Sequence, residues 1–302
     1  MTRRILLSLE RGDDDSRAVE IARSLAHLRN AEILLLRVEE WPIVGPFGLG
    51  WSASWRAGEL QALKSRLVES EGISVQIVSP EALPSSSVLS QARHRAASLI
   101  VVPYRHERPL LRVVHGHVAD RILRESAIPV LAVPVGERGP GPRITRILYT
   151  YESGEGAVPG LRHAIDFAQQ FDASVTLQRI RSSPPPEEGF LPSLLFRGKE
   201  ARARDEQDEQ SLDARLLWIL RRREVPAQVL PETEEPVRDV LKAVARNGID
   251  LVHLGVTHDT EKARMTLARH VLQDSRIPVL ITREEAAFSP LTGAGTRLRV
   301  GI

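Results

Sequence analysis

Short unbroken apolar runs alternate along this chain with longer stretches in which apolar residues return every third or fourth position. Arg4 to Leu9 (RILLSL) is the first run. Mostly apolar, with no regular polar alternation, it predicts a strand buried on both faces, as in a parallel sheet. It ends at Glu10, and Arg11-Gly12-Asp13-Asp14-Asp15-Ser16 is a turn rich in helix-capping residues. Ala18, Ile21, Ala22, Leu25 and Leu28 recur at helical spacing as far as Asn30, a stop residue, and Ala31 to Val38 is the next strand. The alternation continues with a helix over Glu59 to Ser70, a strand over Ile73 to Val78 and a helix over Val88 to Ala97. Leu99 to Pro134 closes the series as strand, polar loop, helix and strand. The connection Glu39 to Gly58 interrupts it, carrying Trp41, Trp51 and Trp55 among prolines and glycines.

The pattern then starts again. Arg146-Ile147-Leu148 repeats Arg4-Ile5-Leu6, and Glu152 and Gly154 repeat Glu10 and Gly12. Ala164, Ala168, Ala173, Leu177 and Arg179 fall on Ala22, Ala26, Ala31, Leu35 and Arg37. Further on Gln228, Val240, Leu241 and Leu251 match Gln76, Val88, Leu89 and Leu99, and Ser275 with Ile277-Pro278-Val279-Leu280 matches Ser126 with Ile128-Pro129-Val130-Leu131. The offset between copies changes only in loops, as in a duplicated domain whose insertions lie at the surface. The Gly- and Pro-rich stretch Gly136 to Pro142 is the join, giving a first domain over 1–138, a linker over 139–142, a second domain over 143–285 and a tail over 286–302. Strand–helix alternation implies right-handed crossovers. The fold class is therefore α/β, with two tandem doubly wound domains of about five parallel strands each.

In such sheets ligands sit beyond the C-terminal strand ends, where the strand order reverses, and a strand leading through a loop into a helix N-terminus offers N–H groups to an anion. That rule brings Glu10 near the Pro103–Gly116 loop and Glu152 near the Gly255–Met265 loop. Arg105, His106, Arg108, Arg112, His115 and His117 make the first loop basic, either as a side-chain anion site or as a solvated loop. Two histidines flanking Gly116 do not share a helix face, so that pair does not read as a metal site. Trp218 sits at helical spacing within LDARLLWILRRR and is expected in the core, with Arg221-Arg222-Arg223 as a solvated helix end.

Composition narrows the function classes. The 302 residues balance 41 Lys and Arg against 39 Asp and Glu, a net charge of +2, which gives no strong nucleic-acid signal. There is no cysteine, which excludes disulfides, thiolate zinc sites and thiol nucleophiles. No apolar run approaches the roughly 18 residues of a membrane span, and acidic residues follow the first apolar run where a signal cleavage site would stand. The expected location is the cytoplasm. Neither a Gly-Lys-Ser/Thr phosphate loop nor a Gly-x-Ser-x-Gly elbow is present, and the expectation is that the chain is not an enzyme.

The openings RILLSLE and RILYTYE, the strands LIVVP and DLVHLG and the final strands IPVLAVP and IPVLIT resemble the universal stress protein family, in a tandem two-domain form. The resemblance implies five parallel strands per domain, with final strands that pair one domain with another. Pro129–Val133 and Pro278–Ile281 would thus join the halves as an intramolecular pseudo-dimer. It also implies, for members that bind ATP, a Gly-x-x-Gly, nine-residue, Gly-Ser/Thr loop and an Asp ending the first strand. In the first copy these positions fall on Pro103, His106, Gly116 and His117, with Glu10 for the Asp. In the second they fall on Gly255, His258, Met265 and Thr266, with six residues in place of nine and Glu152 for the Asp. Val38, Val102 and Val118 complete the first candidate nucleotide site, and Ile180 and Leu254 the second. Pro103 removes an N–H donor, and side chains at 106, 258 and 265 stand where phosphates would lie. The second copy is the better candidate.

The resemblance thus gives a stress-response or regulatory protein with degenerate sites for ATP, AMP or another small anionic ligand. A rival reading is an interaction scaffold for an unidentified protein partner, with a homodimer as one form of it; a weak nucleotide hydrolase comes third.

Overall fold

The computed structural model describes residues 3–10, 15–38, 57–79, 86–105, 118–135, 143–152, 157–180, 199–233, 235–256 and 261–283. The tryptophan-rich connection, the linker and the tail lie outside them, as do His106, Arg108, Arg112, His115, Gly116, His117 and His258.

The first half runs β1 (Arg4–Leu9), α1 (Ser16–Arg29), β2 (Glu32–Arg37), α2 (Ala57–Glu71), β3 (Val75–Ile77), α3 (Ser86–His94), β4 (Leu99–Tyr104), α4 (Val118–Glu125) and β5 (Val130–Pro134). The second repeats it as β6 (Arg146–Tyr151), α5 (Ala157–Phe171), β7 (Ser174–Ile180), α6 (Lys199–Arg222), β8 (Ala227–Thr233), α7 (Pro236–Asn247), β9 (Leu251–Val256), α8 (Glu261–His270) and β10 (Val279–Arg283). A π-helical turn, Val271–Ser275, extends α8. The apolar runs are strands because both sheet faces are covered: β4 and β5 are buried at every position.

One sheet of ten strands results, in the order β3-β2-β1-β4-β5-β10-β9-β6-β7-β8. Each half is parallel, and the two meet at an antiparallel pair in which Val279, Leu280 and Ile281 stand opposite Ala132, Leu131 and Val130. The final strands therefore join the halves, as the family resemblance implies. Helices α1, α2, α5 and α6 cover one face and α3, α4, α7 and α8 the other. Side chains strengthen the junction: Arg283 Nε donates to the Ser126 carbonyl (3.0 Å), and Arg29 Nε donates to Gln170 Oε1 (2.5 Å) while its guanidinium lies 4.7 Å from the centre of the Phe167 ring. Burial and the neighbouring Arg3 pull the Arg29 pKa down to about 10.

Helix ends repeat with the sequence. The left-handed positions Asn30 (φ 47), Gly72 (φ 66) and Ala96 (φ 51) recur at Asp172 (φ 52), Glu224 (φ 57) and Gly248 (φ 58). One expectation is overturned. Trp218 is 57% exposed rather than in the core, with Arg222 stacked over its ring at 5.2 Å. The buried positions of α6 are Leu216 and Leu220, and a residue midway between them points about 200° away at 100° per residue.

Candidate functional site

The strand order reverses between β1 and β4 in the first half and between β6 and β9 in the second, so the two crevices open beside Glu10 and Glu152. Both glutamates meet an arginine there.

In the first crevice Asp15 does not cap α1, since no side-chain cap hydrogen bond is made. Its carboxylate turns back instead. Oδ2 accepts the Glu10 backbone N–H (2.7 Å), and Oδ1 accepts Arg105 Nη2 (2.7 Å). Arg105 Nε lies 3.7 Å from Glu10 Oε2. The Asp15 side chain is 0% exposed and that of Arg105 9%, and a carboxylate is held so deeply only when a cation and an N–H satisfy it. Arg105, one of the basic residues read as either an anion site or a solvated loop, is thus bound by the chain's own carboxylates.

Pro103 shortens the ladder between β1 and β4. Ile100 N–H bonds to the Pro129 carbonyl and Val135 N–H to the Tyr104 carbonyl, so even-numbered positions of β4 face β5. Pro103 faces β1, past the last registered pair, Leu7 with Val101. Its missing donor ends that ladder one pair sooner than in the repeat, where Thr150 still pairs with Leu254.

In the second crevice the cation comes from a helix. Arg264 Nη2 lies 3.1 Å from Glu152 Oε1, and Nη1 donates to Thr150 Oγ1 at 3.1 Å. The Arg264 side chain is 4% exposed. It occupies the stripe of α8 that also buries Leu267, Ala268 and Val271. That pattern was its only signal in the sequence: an arginine at a stripe position otherwise apolar. At the mouth Arg283 pairs with Glu261 (3.2 Å).

The other expected residues are placed as follows. Val38 follows β2, Val102 and Pro103 lie in β4, Ile180 ends β7, and Leu254 and Gly255 lie in β9. Val118 opens α4. Met265 and Thr266 are not in a loop. Helix α8 begins at Glu261, so both lie in its second turn, and the exposed Thr266 hydroxyl donates to the Lys262 carbonyl (2.9 Å). Residues 261–265 of the shortened loop are helical, which turns Thr266 outward and Arg264 inward. Tyr151, beside Glu152, faces the opposite side of the sheet and donates to Asp213 Oδ1 (2.5 Å), which also receives Arg179 on its other oxygen (3.4 Å). Burial and the Asp213 carboxylate push the Tyr151 hydroxyl far above its usual pKa. Among the described residues no group of three His, Asp or Glu side chains is placed to hold a metal, and no helix is long and apolar enough to cross a membrane.

Two tandem doubly wound domains with their final strands paired, and a carboxylate closing each first strand, define the class. The universal stress protein family model matches residues 1–134 and 143–283, and the chain belongs to that family. A universal stress protein of Methanocaldococcus jannaschii is 28% identical over 141 residues, 43% of this chain and 81% of that protein. A universal stress protein from Archaeoglobus fulgidus has a similar structure over 93% of this chain and 96% of its own, with TM-score 0.61 and 14% identity. The cytoplasmic domain of a prokaryotic cation chloride cotransporter is similar over 93% and 95%, with TM-score 0.53 and 13% identity. At those identities the likeness concerns the fold, and one fold hosts many functions.

Proposed function

We propose that the chain is a non-catalytic regulatory protein of the universal stress type whose two strand-end sites are closed by internal arginine–carboxylate pairs. Its output passes through its surfaces to a protein partner, and nucleotide turnover plays no part. The observation that carries this reading is Arg264: a guanidinium 4% exposed, bound to both Glu152 and Thr150, stands at the carboxylate that a ribose would have to reach. Arg105 does the same for Asp15 and Glu10 in the first half.

A second reading keeps a small anionic ligand, ATP or AMP among them, in the second half. Gly255 favours it, being retained at the end of β9, as does the second cation, Arg283, at the same end of the sheet.

Mass spectrometry of the purified chain, followed by thermal-shift titration with ATP and AMP, separates the two. A ligand at a hundredfold its Kd stabilises by about 2.7 kcal/mol, several degrees for a protein of this size. The first reading expects no carried nucleotide and no shift. A shift of that order establishes the second, and phosphate release linear in time would make the protein a hydrolase.

A further inference from the structure

Beneath α5 the second half departs from the first. Leu7, Ile21, Val101 and Val133, all in the first half's core, correspond in the repeat to Tyr149, His163, His253 and Thr282. An apolar layer has been exchanged for a polar one, buried at Tyr149, His253 and Thr282 and half-buried at His163.

His253 is 0% exposed. Its Nε2 lies 2.9 Å from Thr282 Oγ1 on β10, and its Nδ1 has no hydrogen-bond partner. The Tyr149 ring from β6 tilts against it at 5.0 Å, with the Tyr149 hydroxyl donating to the Ala157 carbonyl (2.7 Å). From α5 the half-buried His163 ring meets it edge-on at 6.4 Å. The groups that act on its charge are His163 and Arg264 of α8, and both oppose a proton. On His163 the Asp166 carboxylate favours a proton, while burial, Arg29 of α1 and Arg162 oppose one. The same helix carries Phe167 and Gln170, which hold Arg29 across the junction.

We propose that α5 is an acid-released latch: protonation of the His163–His253 pair lifts α5 from the sheet and opens the α1–α5 contact between the halves. Neutral His253 leaves one lone pair unmet, a tolerable cost in a packed layer. Protonated, it buries a charge and an N–H with no acceptor. Water must then enter, and the path runs under α5, the helix packed on β9 and β10. His163 charges first because it is nearer solvent, and its charge raises the cost at His253. Both imidazoles are held below the ordinary histidine pKa, chiefly by burial, so the unfolded chain takes up more protons than the folded one as pH falls below about 6.5. Stability is complete above that value and declines beneath it. The first half, with Ile21 and Val101 at these positions, has no such response.

Hydrogen exchange on the full chain at about pH 7.5 and about pH 5, corrected for intrinsic rates, tests this. Amides of α5 and of the last turn of α1 are expected to gain about tenfold in exchange at the lower pH while β1 and β2 hold. The double variant His163→Ile, His253→Val, carrying the first half's residues, is expected to lose the response. Equal protection at both pH values, or a response that survives in the variant, overturns the proposal. Should the variant not fold, the wild-type histidine resonances decide: His253 must titrate only where α5 loses protection, and titration with α5 fully protected overturns the latch.

Discussion

The two halves neutralise the same strand-end carboxylate with arginines from different elements. In the first, Arg105 follows β4 directly and reaches back to Asp15 and Glu10. In the second, Arg264 descends from the second turn of α8 onto Glu152 and Thr150. The repeat does not align these residues, so neither pair descends position for position from the other. What is common is the electrostatic requirement. A carboxylate at the switch point of a doubly wound sheet lies among strand ends and apolar helix faces, where leaving it unpaired costs several kcal/mol. The chain meets that requirement twice, by different routes.

Removing either arginine is the largest test of that comparison. Arg264→Ala strands the Glu152 carboxylate, while the Thr150 hydroxyl keeps the His253 carbonyl (3.4 Å), and it is expected to cost about 3 kcal/mol in urea unfolding. Arg105→Ala takes the cation from Asp15 and leaves it the Glu10 N–H; its side chain is 0% exposed against 23% for Glu152, and the cost rises toward about 5 kcal/mol. If Arg105→Ala proved the milder of the two, burial would not be what sets the strength of these pairs.

Much of the fold was legible because two independent signals agreed. Apolar runs such as RILLSL and LIVVP fixed strands that the structure buries on both faces, and the duplication fixed how many there were. The antiparallel junction came from the resemblance, since nothing in IPVLAVP or IPVLIT says which partner the last strand takes. The site was less legible for a physical reason. A loop motif read by spacing assumes that the loop stays a loop, but TEKARMT is a good helix sequence, and α8 propagates back through it to Glu261. That brings Arg264 onto the buried face and sends Thr266 to solvent. Trp218 was misread because an aromatic residue in an apolar run carries no information about which side of the helix it takes.

A smaller test uses the left-handed helix ends, where the halves again reach one geometry with different residues. Gly72 corresponds to Glu224, and both have positive φ. A Cβ built on Gly72 meets nothing within 4 Å, so Gly72→Ala isolates the backbone cost, about 1 kcal/mol. A Cβ on Gly248 stands 2.6 Å from Arg146 Nη2, so Gly248→Ala adds the displacement of an exposed, flexible guanidinium and should cost somewhat more, about 1.5 kcal/mol. Equal losses at the two sites would show that Arg146 moves aside freely.

Ala96, the first-half counterpart of Gly248, supplies the smallest effect and the one with opposite sign. It holds φ 51 although alanine pays for that conformation, and its N–H donates to the Arg93 carbonyl (3.0 Å) to finish α3. Ala96→Gly removes a strain of about 1–2 kcal/mol in the folded state. It also frees the unfolded chain, at a cost of about 0.4–1 kcal/mol. The difference leaves a net gain of about 0.5 kcal/mol, measurable as a raised urea midpoint at unchanged slope. A loss in place of that gain would mean that the Ala96 methyl makes packing contacts outweighing the strain, and that this helix end tolerates alanine because of them.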